Sequence, residues 1–401
     1  MTQALDSRRY DLDWLRILAF GILILYHVGM YYVADWGWHI KSEQQSVVLQ
    51  NLMLLSNQWR MSLLFFISGL ALALVHHKLS TWVLFKIKTI RLLLPLVFGM
   101  LVIVPPQLYF ELQCQQQFSG TYFAFLQDYL NIHTTLAPHK QSNIGLITWN
   151  HLWFLPYLWS YSLIMIVLYR PLKIVLQTAL MQKLPTWLAF SFLVLWLVGV
   201  GLWLKEYPST HGFTDDWFLH GIYFSVFVSG MAVATLPALW QNIIVKRRWF
   251  AALALAGYSW LLLDRHGVLN VGPALDALMV TQLVHAMLLS INHWAWIFAL
   301  FAYAGKYLQF NNRFVAYANQ AILPCYIVHQ TLIIVLAMSI KAWHIPAVIE
   351  APMLIILTVV GCVLSYEVIR RHNISRYLFG LKPSNPHLSA DHKTLVANTS
   401  S

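Results

Sequence analysis

The sequence predicts an all-α, polytopic membrane protein of about ten transmembrane helices with both termini in the cytoplasm, and three observations predict it. Of 401 residues, 59% are apolar and only 10% charged, against a charged share of about 25% in soluble domains. Apolar runs of about twenty residues, enough to cross a hydrocarbon core, recur along the chain. Lys and Arg gather in alternate loops, as the positive-inside rule requires. The net charge of +11 is therefore a topology signal. Its cations fall in short groups between apolar runs, which excludes a nucleic-acid partner and makes the lipid bilayer the expected surroundings.

In order, the predicted spans lie near 14–33, 57–76, 92–110, 151–169, 186–204, 217–239, 249–263, 286–305, 319–340 and 349–368. The first follows a polar stretch at 1–13 and lacks a small-residue cleavage site, so it is expected to stay as a helix rather than leave as a signal peptide. The seventh is short. The eighth has a soft start, because PALDALM at 273–279 fits either an interfacial helix or the first turns of the span. Between the third and fourth runs the longest outer loop, 111–150, Gln-rich at 113–117 and large enough to cover a site. No repeat of 20 to 50 residues and no inverted repeat is visible. A transmembrane domain over 1–380 is expected to end in a disordered cytoplasmic tail at 381–401, polar and carrying Pro383 and Pro386.

Orientation follows from the cations. Nineteen of the 26 Lys and Arg residues fall in loops on the side of the N-terminus, five fall on the other side, and Arg16 and Arg60 lie inside spans. The 18 Trp suit long membrane boundaries. Cys114, Cys325 and Cys362 have no metal-ligand spacing, so neither a disulfide nor a metal site is expected.

Ionisable groups inside a span cost several kcal/mol unless they face a polar interior, which makes each a functional candidate. Arg16 and His27 are eleven residues apart, about 1100° of helical rotation and about 16.5 Å of rise, so they share one face at different depths. Asp13 shares that face and is placed to pair with Arg16. Such a column fits a long cytoplasmic substrate whose reactive end reaches the far side. It equally fits an Arg16 that snorkels to headgroups and a His27 bonded to a neighbouring helix. Arg60, at the outer end of the second span, suits a carboxylate or a developing oxyanion, or serves as a boundary anchor. Ser68 and Gly69 allow close helix approach, usually a packing feature. Lys88 and Arg91, one turn apart at the cytoplasmic boundary, fit a phosphate grip or a topology signal. His151 at the outer start of the fourth span and His329 in PCYIVH at 324–329 lie in apolar surroundings, where a structural hydrogen bond is the more common role. Other histidines, such as His76, His77, His133, His139 and His211, are placed in loops.

Taken in order, DLDWLR at 11–16 with His27, RMSLLFFISG at 60–69, RLLLP at 91–95 and HLWFL at 151–155 resemble membrane-bound acyltransferase family 3. The first two motifs look most like its branch of periplasmic glucan succinyltransferases, the glucan biosynthesis protein C-like branch. The resemblance covers the first four spans well and the last two loosely, through His329 and residues 370–382. It implies an integral O-acyltransferase of the bacterial inner membrane, moving an acetyl or succinyl group from cytoplasmic acyl-CoA to a hydroxyl of a periplasmic or cell-envelope glycan. It further implies His27 as the catalytic histidine, Arg16 along the CoA channel, and Lys88 with Arg91 on the CoA phosphates. Relatives often carry Arg where this chain has Lys88, which loosens bidentate binding. Acyl-CoA is then a donor substrate, and no permanently bound cofactor is expected.

The mechanism this suggests has neutral His27 as general base on the acceptor hydroxyl, with Arg60 or a donor such as Trp153 on the oxyanion. Asp13, Ser68, His151 and His329 are supporting candidates. Two other classes fit the same residues: a permease using Arg16, His27 and Arg60 as the path of an anionic solute, and a membrane scaffold without turnover. The sequence leaves the donor, the acceptor and any homo-oligomer open.

Overall fold

The computed structural model describes residues 9–269 and 279–384. In chain order its helices are α1 (Tyr10–Tyr32), α2 (Val48–Asn57), α3 (Arg60–His76), α4 (Thr81–Phe98), α5 (Pro105–Cys114), α6 (Tyr122–Leu130), α7 (Phe154–Leu176), α8 (Ala179–Gln182) and α9 (Thr186–Trp203). There follow α10 (Trp217–Thr235), α11 (Pro237–Val245), α12 (Arg247–Arg265), α13 (Met279–Tyr307), α14 (Arg313–Ile340), α15 (Ala347–Ile369) and α16 (Asn373–Leu378). Two isolated bridges are the only β-type pairing among the described residues. Nine helical stretches among them are long and apolar enough to cross a membrane. The short seventh span of the sequence reading is α12, helical throughout but flanked by Arg247, Arg248, Asp264 and Arg265. Residues 270–278, which hold most of PALDALM, and the tail from 385 lie outside the described residues, so the soft start of the eighth span is met only from Met279 onward.

The described residues form two compact units, one from 9–19, 54–84 and 160–319, the other from 20–53, 85–159 and 320–384. In the first, α3 and α10 lie against each other through two reciprocal glycines. A Cβ on Gly69 would strike the Phe227 carbonyl oxygen, and one on Gly230 the Phe66 carbonyl oxygen. Lipid tails supply no hydrophobic drive between helices, so backbone-to-backbone approach and dispersion hold such a pair together. The α12 and α13 helices also pack on each other, with Gly257 against the Asn292 side chain. The first turn of α1 carries Asp11 and Asp13, favourable at the positive end of the helix dipole. Arg9 grips Asp11 with two nitrogens, at 3.0 and 2.7 Å, while its guanidinium lies 4.3 Å from the Trp240 ring centroid. His76 belongs to α3, not to a loop as the sequence suggested. It is buried and its Nε2 bonds the Ile166 carbonyl at 3.1 Å.

In the second unit, Val28, Tyr31 and Tyr32 of α1 pack with Ile333, Ile334 and Ala337 of α14 and Leu354 of α15. The Tyr32 hydroxyl donates to Glu350 Oε2 at 3.0 Å, satisfying a carboxylate buried in α15. Lys41 folds back over the end of α1 and donates to the carbonyl of Met30, which the helix C-terminus leaves unpaired, and to those of Val33 and Trp36 just beyond it. Burial there holds the Lys41 ammonium below its ordinary pKa range.

The α4 helix runs into a π-helical stretch, Gly99–Ile103, before α5 begins at Pro105. Gln107 N bonds Val104 rather than Ile103, and Thr331 of α14 donates to the Ile103 carbonyl at 2.6 Å instead. Such π-bulges are frequent at functional sites. The expected outer loop is partly ordered helix, since α5 extends to Cys114 and α6 follows. Phe125, Tyr129 and Leu146 of this segment pack against Leu108 and Leu112 of α5. Burial pushes the Tyr129 phenol up to about 12, keeping it a proton donor to the Met100 carbonyl at 2.8 Å. All three cysteines are free thiols.

Candidate active site

Near the C-terminal end of α1, half-buried His27 meets fully buried His329 of α14, with His27 Nδ1 3.0 Å from His329 Nε2. Two imidazoles facing nitrogen to nitrogen share one proton, so one donates and the other accepts. The direction is set by the far side of His329, whose Nδ1 donates to the Tyr326 carbonyl at 2.7 Å. His329 Nε2 then carries the lone pair, His27 Nδ1 the proton, and the remaining lone pair of His27 lies on Nε2. A backbone carbonyl three residues back in α14 thus fixes the tautomer of a histidine on another helix.

His151 lies in the 3-10 turn Asn150–Trp153 that leads into α7, its ring centroid 5.2 Å from that of His329. Its Nε2 donates to the Ile327 carbonyl at 3.1 Å and its Nδ1 accepts from Gln107 at 3.3 Å. Asn150 enters the turn with a φ of 41°, a left-handed conformation that Asn tolerates better than most side chains. Its amide also reaches Gln107 Oε1, at 3.1 Å. Gln107, with no exposed surface, uses all four of its bonds: it donates to His151 and to Thr331 at 2.7 Å, and accepts from Asn150 and from Gln330 at 3.0 Å. Gln330 donates again to His39 Nε2 at 3.0 Å, His39 Nδ1 donates to Glu111 Oε2 at 2.5 Å, and Lys140 meets Glu111 Oε1 at 2.5 Å. An unsatisfied polar group here would cost several kcal/mol. A chain of satisfied groups is instead rigid and holds the imidazoles in one arrangement.

Of the residues singled out from the sequence, the fold gathers His27, His151 and His329 in the second unit, with Trp153 half-buried on the His151 turn and edge-on to Tyr157. Lys88 and Arg91 follow one another along α4 in the same unit. Arg91 Nε donates to the Gly380 carbonyl at 3.0 Å, which ties the segment after α16 to α4. Gly380 has a φ of 70°, and a Cβ there would press on the Arg91 carbonyl at 2.8 Å. Arg16 and Asp13 lie on the part of α1 that belongs to the first unit, as a loose ion pair at 3.8 Å. Arg60 and Ser68 lie on α3 of that unit. Arg60 is the first residue of its helix and is 5% exposed. A cation there works against both the helix dipole and its own desolvation.

His39, Glu111, Lys140, Gln107 and Gln330 were not anticipated as site residues from the sequence. Gln107 and Gln330 gave the one available signal, an amide inside an apolar run. His39 and Lys140 gave none, because short-range spacing does not show which loop folds onto which helix. No group of His, Cys, Asp and Glu among the described residues is arranged to hold a metal ion.

A family model described as an acyltransferase domain matches residues 9–367. No curated protein and no solved structure matches the chain.

Proposed function

The chain belongs to the acyltransferase family whose model spans nearly all of it, and from that premise we propose that it moves an acetyl or succinyl group from a cytoplasmic acyl-CoA to a glycan hydroxyl outside the cytoplasm. The setting is a bacterial inner membrane with the N-terminus inside. The observation that supports this reading is the relay from the Tyr326 carbonyl through His329 to His27 Nδ1, and His27 Nε2 is the proposed proton acceptor.

The chemistry then closes. His27 Nε2 takes the proton of the acceptor hydroxyl as that oxygen attacks the thioester carbonyl. The resulting imidazolium keeps its Nδ1 proton bonded to the His329 Nε2 lone pair, a hydrogen bond to a charged group that strengthens as charge develops. Collapse of the tetrahedral intermediate breaks the carbon–sulfur bond, and the departing CoA sulfur takes the proton back from Nε2. The products are an ester and CoA thiol, with His27 restored. Lys88, Arg91 and the basic segment that Arg91 tethers at Gly380 are the proposed phosphate grip, and Arg16 the contact along the donor's length. Arg60 is the proposed cation for a succinyl carboxylate or an oxyanion.

Purified protein in liposomes, with labelled acetyl-CoA or succinyl-CoA enclosed and a glycan acceptor outside, is expected to label the glycan. No label from either donor overturns the reading. His329→Ala removes a hydrogen bond to a charged group worth about 1.5–3 kcal/mol, so kcat is expected to fall roughly 10- to 100-fold with donor KM unchanged. His329→Asn or His329→Gln, which can still offer an acceptor, should recover part of it. A positioning role is excluded if Ala and the amide variants behave alike. On the donor side, Lys88→Ala with Arg91→Gln is expected to raise the KM for acyl-CoA roughly tenfold or more while leaving kcat within about twofold. In the same assay Arg60→Gln should impair succinyl more than acetyl transfer. Equal losses for both donors would point to the oxyanion instead.

A further inference from the structure

The first unit contains a cavity of about 630 Å³, within the range of small-ligand sites, and it shares no residue with the histidine network. One stripe of α13 lines it, Gln282, His285, Ala286, Leu289, Ser290 and His293, the spacing of a single helix face. Asn57 and Gln58 before α3, Gly201 and Lys205 at the end of α9, and Tyr223 of α10 contribute other walls. These are the helix ends that, on the orientation proposed above, face away from the cytoplasm.

Among the described residues, two buried atoms in this lining have no hydrogen-bond partner, His285 Nδ1 and His293 Nε2. The other ring nitrogen of His293 is occupied by the backbone of Gln58. A buried polar atom without a partner is uncommon in a folded protein and asks for a ligand or water. We propose that this cavity binds a sugar unit of the acceptor. A hydroxyl both donates and accepts, so sugar hydroxyls satisfy both nitrogens whichever tautomer each ring holds. A carboxylate or phosphate only accepts, and would need both rings to present an N–H. Among the described residues the remaining polar walls are neutral amides and hydroxyls with a single cation, Lys205, and Tyr207, Phe218 and Tyr223 supply aromatic faces for the apolar side of a pyranose. Among the described residues no carboxylate lines it. The choice of a sugar rests on the glycan-acylation reading; the cavity and its two unpartnered nitrogens do not.

The test is equilibrium binding of a linear glucose hexasaccharide and a chitin hexasaccharide to the full-length, detergent-solubilised protein by calorimetry, with no donor present. At least one sugar should bind saturably. His285→Phe with His293→Phe, which keeps ring volume and removes the nitrogens, should weaken it roughly tenfold or more. Gly201→Phe provides an independent variant, because a Cβ at Gly201 meets nothing within 4 Å. Its ring should fill the cavity and abolish binding without forcing the helices apart. Inositol hexakisphosphate should not compete. Binding by neither sugar, wild-type affinity in both variants, or displacement by the polyanion overturns the proposal. Histidine-dependent sugar binding in a protein that transfers no acyl group would refute the enzymatic reading and leave the site standing. Acyl transfer together with unaltered sugar binding in the variants would do the reverse.

Discussion

His27→Ala protein, reconstituted and shown to be folded, is expected to lose 10²- to 10⁴-fold of kcat for acyl transfer, about the contribution of a positioned general base. Donor KM should barely move, because the proposed grip on acyl-CoA lies on Lys88, Arg91 and Arg16. The loss should exceed that of His329→Ala, since removing the base deletes the proton acceptor whereas removing its support only loosens it. The double variant should be no worse than His27→Ala alone, because His329 acts only through His27. Full transfer by intact His27→Ala protein sinks the assignment. Additive losses in the double variant would sink the relay while leaving the base in place. The stability cost should be small, as His27 is only half-buried.

Gly230→Leu is expected to have the largest effect on folding. Its new Cβ falls on the Phe66 carbonyl oxygen, and Gly69 mirrors the contact at Phe227, so no rotamer change relieves the clash and α3 and α10 must separate. Overpacking costs about 1–3 kcal/mol where side chains can give way and more where backbone must move, so a loss of about 3 kcal/mol or more is expected here. Detergent-solubilised protein should show a sharply lower thermal midpoint or elute as aggregate, with Gly230→Ala intermediate. Gly199→Ala, whose Cβ meets nothing within 4 Å, serves as the control. An unchanged midpoint for Gly230→Leu would show that the two helices do not rely on this approach.

Much of the architecture was legible residue by residue. Ten apolar runs anticipated nine span-length helices and α12, and the motif around Ser68 and Gly69 announced the close contact that Gly69 makes. The cost of charge in lipid singled out His27, Arg16, Arg60 and His329 before any partner was known. Gln107 and Gln330 cannot ionise and carry no such cost, although they join the histidines into one network. His76 was set among the loop histidines although it closes the apolar run at 57–76, and it is the last residue of α3.

The sequence by itself determined that this is a multi-pass helical membrane protein and which ionisable side chains fall inside its apolar runs, because hydropathy and helical period are local properties. Only the tertiary structure decided what those side chains do to one another. His27 and His329 are 302 residues apart, and His39 meets Glu111 across 72. Which nitrogen of His27 holds its proton depends on a carbonyl of α14. A proton's position is set by the nearest hydrogen-bond partner, and in a bundle that partner comes from another helix, whose rotation and depth no single helix's pattern specifies.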